Sequence, residues 1–324
     1  MRTFKEKVAS WLLSLREYYK EYIFFNKYNM RSAENTFTVG YHLMLLGHSL
    51  EKGMSIKNPR VGFGNEKAIQ LVREAKNYIQ LGGTTEDDFF YINYLILSKW
   101  FDYYQLNEWK MKFQDEIEDF ISEYKNVKNM GLVAGSMVKT REELVLKDSF
   151  NYLEFLKGRH TVRDYSEEII SDKDFEYCLQ CAMLTPSACN RQMVSVTFVR
   201  SHDKRAYITK QLQGTTGLNI QNAQYFVIAY STSSLSFYGE RNQGFLNAGL
   251  FAMNFINALH SRGIGTCPLQ YNPPISEEIK LKKACGLSED KRIALVIAAG
   301  YYPQEGAMIT ASLRRNSKSY SSIC

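Results

Sequence analysis

A change of texture near residue 150 constrains this chain more than any other feature. Residues 1 to about 150 hold a single proline, Pro59, and long stretches with apolar residues at helical spacing: Glu66 to Leu81, Glu86 to Gln105 and Asn107 to Tyr124. Proline inside a helix removes a hydrogen bond and collides with the preceding turn, so its near-absence leaves those stretches free to run. Turn signals fall between them, as at Gly82-Gly83-Thr84-Thr85, where threonine precedes an acidic first turn. A segment from Asn129 to Phe150 mixes Gly131, Gly135, Ser136 and charged residues and suits a connection. The sequence therefore predicts an α-helical domain over residues 1–150 and a mixed α+β domain over residues 151–324.

In the second half, helices alternate with short strands. Ser171-Asp172-Lys173-Asp174 opens a helix in capping-box fashion, and Val196 to Val199 and Gln224 to Tyr230 read as strands. A long helix runs from about Asn242 to Arg262 and is closed by Gly263 as a left-handed cap. Ser276 with Glu277 and Glu278 begins another, closed by Lys282, Lys283 and Gly286, an arrangement of charge that suits the helix dipole. Ile293 to Ala299 reads as a fully buried strand, after which Gly300-Tyr301-Tyr302-Pro303 turns the chain out. Gly263 and Gly265 read as a helix cap and a tight turn.

Composition removes several function classes. A hydrophobic share of 45% supports a packed core. The formal charge of +6 is modest and spread out, with no run of five basic residues, which argues against nucleic acid or an acidic membrane as the main partner. The six cysteines, Cys178, Cys181, Cys189, Cys267, Cys285 and Cys324, match no disulfide framework. Cys178 and Cys181 form a C-x-x-C with no second Cys or His pair nearby, so buried apolar filling is expected rather than metal; reduced thiols fit a cytoplasmic protein. The apolar run Val8 to Leu15 is too short for a signal peptide and is interrupted by Arg16 and Glu17, and no segment approaches a membrane span. Trp11, Leu12, Leu15, Tyr19 and Ile23 share one face of an amphipathic helix, expected to pack on the core, with a membrane surface as the alternative.

The chemistry is concentrated in two stretches. Arg159-His160-Thr161-Val162-Arg163-Asp164-Tyr165 is a compact basic and hydroxyl-bearing cluster. Thr185-Pro186-Ser187-Ala188-Cys189-Asn190-Arg191-Gln192 is a turn of small polar residues at the end of a helical pattern. Guanidinium forks and hydroxyls hold phosphate, and a loop of Ser and Asn bonds a polar ring edge without crowding it. Taken singly, Arg159 and Arg163 read as a solvated cluster, His160 as structural and Cys189 as a small filler; taken together they suggest a site for a phosphorylated cofactor. No Ser-His-Asp set, nucleophilic cysteine or G-x-G-x-x-G is evident.

These stretches are followed by Asn222 to Ile228, by a helix starting near Gln243 that contains Asn247 and Gly249, by Gly263 to Gln270, by Ala299-Gly300-Tyr301 and by Arg314-Arg315. The order resembles the FMN-dependent nitroreductase family over residues 155 to 324. The resemblance implies an α+β fold, a largely antiparallel sheet flanked by helices, and an obligate homodimer with FMN at the subunit interface. It implies ping-pong hydride transfer from NAD(P)H through the flavin to an electron-poor acceptor. On the same ground, Arg159, His160, Thr161 and Arg163 would hold the FMN phosphate, ribityl chain and pyrimidine edge. Asn219 would reach the N1–O2 edge, and Pro268, Leu269 and Gln270 would lie along the ring. Arg314 and Arg315 would complete the phosphate clamp. Pro186, Ser187, Ala188, Asn190, Gln243 and Leu246 would come from the opposite subunit.

The chain departs from the family's pattern where Met193 follows Gln192 and where the Tyr230–Gln243 connection is short. The helical half is expected to supply the missing cover, with residues 40 to 65 near the ring. Within it, His48, Glu51 and Lys52 share a helical face, read either as a capped helix before a glycine turn or as a polar patch facing the flavin. Similar N-terminal extensions occur on nitroreductase-like proteins associated with bacterial polysaccharide synthesis. The other function classes are a flavin-binding partner or sensor without turnover in such an assembly, and a structural scaffold that binds no flavin.

Overall fold

The computed structural model describes residues 3–31, 34–56, 59–127, 134–136, 151–212, 215, 219, 221–269, 271 and 273–307. Five helices come first: α1 (Phe4–Tyr28), α2 (Thr36–Met54), α3 (Asn65–Gln80), α4 (Asp88–Leu106) and α5 (Gln114–Glu123). Helix α1 begins with a reciprocal box in which the Thr3 hydroxyl accepts from Glu6 N–H and the Glu6 carboxylate accepts from Thr3 N–H. Asn35 and Thr38 cap α2 in the same way. The expected helix from Asn107 to Tyr124 is confined to Gln114–Glu123, because Glu108 and Phe113 take left-handed backbone angles that interrupt it. Leu43, Leu50, Leu71, Val72, Leu97, Trp100 and Phe120 form the core of this helical half.

The second half holds α6 (Tyr152–Gly158), α7 (Asp172–Met183), β1 (Val194–Val199), α8 (His202–Gln211), β2 (Gln224–Ser231), α9 (Gln243–Ser261), β3 (Ile264–Leu269), α10 (Ile275–Cys285) and β4 (Lys291–Tyr301). The strands form one antiparallel sheet in the order β1-β2-β4-β3. Both faces are covered, so β2 is buried along its whole length and reads as an apolar run rather than an alternation. Its odd residues, Tyr225, Val227 and Ala229, join the core with Leu281 and Ile208; its even residues, Phe226 and Ile228, pack against Phe251, Phe255 and Cys178. Cys178 is accordingly apolar filling, and burial pushes its thiol up to about 12. Ser171 caps α7 by accepting from Asp174 N–H. The strand expected to be buried throughout 293–299 is fully buried only from Val296 onward, with Ala294 and Leu295 half-exposed.

Two readings are corrected. Gly265 sits inside strand β3, not in a tight turn; only Gly263 takes the left-handed angle. Strand β3 holds Gly265 and Pro268, poor strand formers, and its pairing with β4 imposes the conformation. The apolar face of α1 is also not packed on the core: Trp11, Leu12, Leu15, Tyr19 and Ile23 are all exposed, Trp11 by 61%. Helix α1 docks instead through its last turns. Phe24 lies beneath Lys282 Nζ and the Arg292 guanidinium, at 4.7 and 5.4 Å, and Phe25 is buried with Tyr41, Met193, Tyr230 and Leu235. The Glu17 carboxylate accepts from Ile275 N–H at the start of α10 (3.3 Å), Glu21 meets Arg292 (3.4 Å) and the Tyr28 hydroxyl donates to Glu289 (2.9 Å). No helix among the described residues is long and apolar enough to cross a membrane.

Candidate functional site

The basic stretch leaves α6 and lies on the sheet's edge. Thr161 bridges to Thr266 of β3, Val162 N–H donates to the Thr266 carbonyl (2.9 Å) and Ser166 N–H to the Tyr301 carbonyl (3.0 Å). Two glycines permit this close approach. A Cβ on Gly265 would stand 2.9 Å from Val162 Cβ, and one on Gly300 would stand 2.7 Å from Tyr165 Cβ. Val162 and Tyr165 turn inward, and the Tyr165 hydroxyl donates to the Val162 carbonyl (2.7 Å) and also reaches Ala298 O (3.2 Å). Thr161 and Arg163, at the alternate positions, stay half-buried, as do Arg159 and His160. None of the three basic residues has a carboxylate partner among the described residues, although all are partly withdrawn from water. That combination leaves guanidinium donors available to an anion.

His260, near the end of α9, belongs to the same neighbourhood. Its ring lies 4.9 Å from Phe155 and within 3.3 Å of where a Cβ on Gly158 would stand. Burial, and after it the charges of Arg159 and His160, hold it below the usual imidazole range although a bond with the Phe155 backbone opposes this. Sequence gave no signal for it, since only the fold brings residue 260 beside residue 159.

Asn219 is brought to this cluster, but with other partners: its backbone N–H donates to the Arg163 carbonyl (2.7 Å), and its side-chain amide donates to Asp164 (2.9 Å). Pro268 is exposed at the end of β3, whereas Leu269 is 4% exposed and faces the core. Gln270, Arg314 and Arg315 lie outside the described residues.

The second stretch forms the loop after α7. Ala188 N–H donates to Asn247 Oδ1 (3.0 Å) and the Asn247 amide to the Gln243 carbonyl (2.8 Å), so α9 holds the loop. Ser187 Oγ accepts from Gln192 N–H (2.9 Å). Cys189, Asn190 and Gln192 all take left-handed backbone angles near +51°, which L-residues adopt only under restraint. Arg191 supplies the restraint. Fully buried, it donates to the carbonyls of Ala188 (3.0 Å) and Ser234 and forms two bonds of 2.9 Å with Glu240. Burial opposes charge on Glu240, but Arg191 and the Ser236 donors outweigh it and hold the carboxyl below its ordinary range. Arg191 was legible as part of the motif, but its role as a brace was not. Pro186 and Leu246 line one surface groove with Tyr152, Leu250 and Met253.

The two groups stand at opposite ends of α9. From Leu246 to His260 the helix rises roughly 21 Å at about 1.5 Å per residue. Behind the loop, Tyr41 of α2 packs with Met193, Tyr230 and Ala188, and burial pushes its phenol up to about 12. Gly64 packs inside the helical half, where a Cβ on it would meet Leu50 and Trp100, and Gly62 and Gly64 take left-handed angles, the conformation of a glycine turn after a helix.

Residues 156–301 match the model of the nitroreductase family. An Archaeoglobus fulgidus protein whose name joins NADH dehydrogenase and NAD(P)H nitroreductase is 27% identical over 164 residues, 51% of this chain and 92% of that protein. A nitroreductase family protein from Streptococcus pneumoniae superposes with a TM-score of 0.46 at 20% identity, covering 54% of this chain and 100% of that one. A Desulfovibrio desulfuricans protein solved in complex with FMN does so with a TM-score of 0.44 at 20% identity, covering 52% and 94%. The α+β half of the chain, residues 156–301, is a nitroreductase family domain.

Proposed function

We propose that the protein is an FMN-dependent oxidoreductase acting as a homodimer, taking hydride from NAD(P)H and delivering it to an electron-poor acceptor. The observation that carries this reading is the basic set Arg159, His160 and Arg163, without a carboxylate partner among the described residues and held partly out of water on a segment that Gly265 and Gly300 let down onto the sheet. Phosphate, hydroxyls and a pyrimidine edge are the groups such donors satisfy. Bound there, FMN would supply the two-electron chemistry. Arg163, set against the ring's pyrimidine end, would favour its anionic reduced form, and Thr161 would orient it. Backbone N–H groups after Leu269 would fix the face that receives hydride.

The rise of roughly 21 Å along α9 supports the dimer. Two copies pairing antiparallel along α9 would bring the Pro186–Asn190 loop, Gln243 and Leu246 of one against the basic segment of the other. Leu246, Leu250 and Met253 recur at helical spacing on the outer face of α9 and are exposed, as a self-complementary interface requires. The helical half backs the loop through Tyr41 and Phe25, which supports its reading as cover for the site.

The test is an absorption spectrum of the purified protein followed by anaerobic addition of NADH or NADPH. A flavin spectrum that bleaches supports the enzyme. A flavin that neither nicotinamide bleaches turns the reading to a binding partner in a biosynthetic assembly, of which polysaccharide synthesis is one setting. Protein that is colourless and takes up no added FMN refutes both. Within the same experiment, Arg159→Ala weakens flavin retention by about tenfold or more, the loss of one charge-assisted contact.

A further inference from the structure

Helix α1 carries an apolar stripe that none of the described residues covers. Phe4, Val8, Trp11, Leu15, Tyr18 and Tyr22 recur at alternating helical spacings, so at roughly 3.6 residues per turn they share one face. All of them are exposed, Phe4 by 81%. The helix is seated by its other side, through Phe24 and Phe25, and its carboxylates lie off the stripe and are engaged. Glu6 accepts from Thr3 N–H (2.7 Å), Glu17 meets Lys20 (2.7 Å) as well as Ile275 N–H, and Glu21 meets Arg292. Between the stripe and the carboxylates run Lys5, Arg16, Lys20 and Lys27. Of these, Lys5, Arg16 and Lys27 have no carboxylate within ion-pair distance among the described residues. Beside the stripe, Tyr19 and Ile23 join Ile279 and Leu287 of α10 in a groove of about 570 Å³ that Lys27 and Lys283 also line. The Glu289 carboxylate in that groove is engaged by the Tyr28 hydroxyl, and Lys282 by the carbonyls of Glu289 and Lys291. The modest net charge of the chain thus hides a local separation, with apolar rings outward, cations along one flank and carboxylates turned to the body.

We propose that α1 docks the protein on an anionic lipid bilayer, lying in the plane of the surface with its stripe sunk to the boundary between headgroups and acyl chains. Trp11, Tyr18 and Tyr22 suit that boundary, since each ring has an apolar body and a polar tip, one for each side of it. From Phe4 to Tyr22 the stripe rises roughly 27 Å, long enough to hold the helix flat on a surface. With the stripe inserted, Lys5, Arg16 and Lys27 stand level with lipid phosphates, and charge complementarity selects an anionic surface. Lys283 on α10 adds to the same face. The proposal is independent of the flavin reading.

The test is flotation of the purified protein with vesicles of phosphatidylcholine alone and of equimolar phosphatidylcholine and phosphatidylglycerol. The native protein binds the anionic vesicles about tenfold or more tightly than the neutral ones, and added salt weakens the binding. Trp11→Glu and Leu15→Glu, both at exposed positions, abolish flotation and leave the thermal midpoint in place. One Lys or Arg near an anionic surface contributes about fivefold, so Arg16→Gln combined with Lys27→Gln lowers affinity for the anionic vesicles about tenfold or more. Leu106→Glu, at an exposed apolar residue on the end of α4, changes nothing. Native protein that does not float with anionic vesicles, or floats equally with both kinds, overturns the proposal, and so does flotation that survives Leu15→Glu. Self-association without flotation, seen in sedimentation and abolished by Leu15→Glu, also overturns it and assigns the stripe to a contact between copies.

Discussion

At the scale of single residues, two charge arrangements, the first of them buried, hold the α+β half together. Arg191 has no exposed side-chain surface, and Glu240 is the carboxylate that neutralises it. Removing one partner of such a pair strands the other, so Glu240→Ala should lower stability by about 3 kcal/mol, read as a shift in the thermal midpoint. The Pro186–Gln192 loop should also become protease-sensitive. Asp174 is the second arrangement: it accepts from Tyr301 (2.5 Å), Arg262 (2.6 Å) and Ser171 (2.8 Å), tying α7 to the ends of β4 and α9. The Tyr301 hydroxyl, then Arg262 and Ser171, hold its carboxyl down at about 2 against the opposing effect of burial. A depressed carboxyl stabilises the fold fully above its unfolded value near pH 4, and loses that contribution as pH falls toward 2. The melting curves of the native protein and Asp174→Asn should therefore differ above about pH 4 and converge near pH 2. The stretch Arg159 to Tyr165 was legible as a compact basic and hydroxyl-bearing cluster. The Arg191 brace and His260 were not, because each depends on a neighbour more than forty residues away.

At the scale of elements, the glycines of β3 and β4 carry a prediction. Gly265→Ala places a methyl 2.9 Å from Val162 Cβ, a rigid branched carbon, and must push the basic segment off the strand. Overpacking of this kind costs about 1–3 kcal/mol. Flavin affinity should fall along with the thermal midpoint, because the displaced segment carries Thr161 and Arg163; a flavin titration unchanged in Gly265→Ala would show that the segment's seat is irrelevant to binding. Helices α3, α4, α7, α9 and α10 were legible to within a residue or two, since their periodicity, caps and terminal glycines agree. Strand β3 was not, because a short strand with Gly265 and Pro268 takes its conformation from β4 rather than from its own residues. The amphipathic character of α1 was legible as well. What that face meets was not, because periodicity reports an apolar stripe and is silent about its partner.

At the scale of the whole molecule, the proposed dimer along the exposed stripe on α9 would make assembly and cofactor loading a single property. Leu250→Glu places a charge in the middle of the surface shared by Leu246 and Met253. Sedimentation should then report a monomer, and the same sample should have lost its flavin; a monomer that keeps FMN would refute the two-copy site. The attachments of α1 have a different consequence, one of timing. Glu17 finds its amide partner 258 positions downstream, and Tyr28 finds Glu289 261 positions downstream. At roughly 5–20 residues per second, ribosomes make those partners some tens of seconds after α1 emerges. Helix α1, made well before these partners, is thus seated late, and its bare tryptophan and leucines wait in the meantime as an invitation to chaperones.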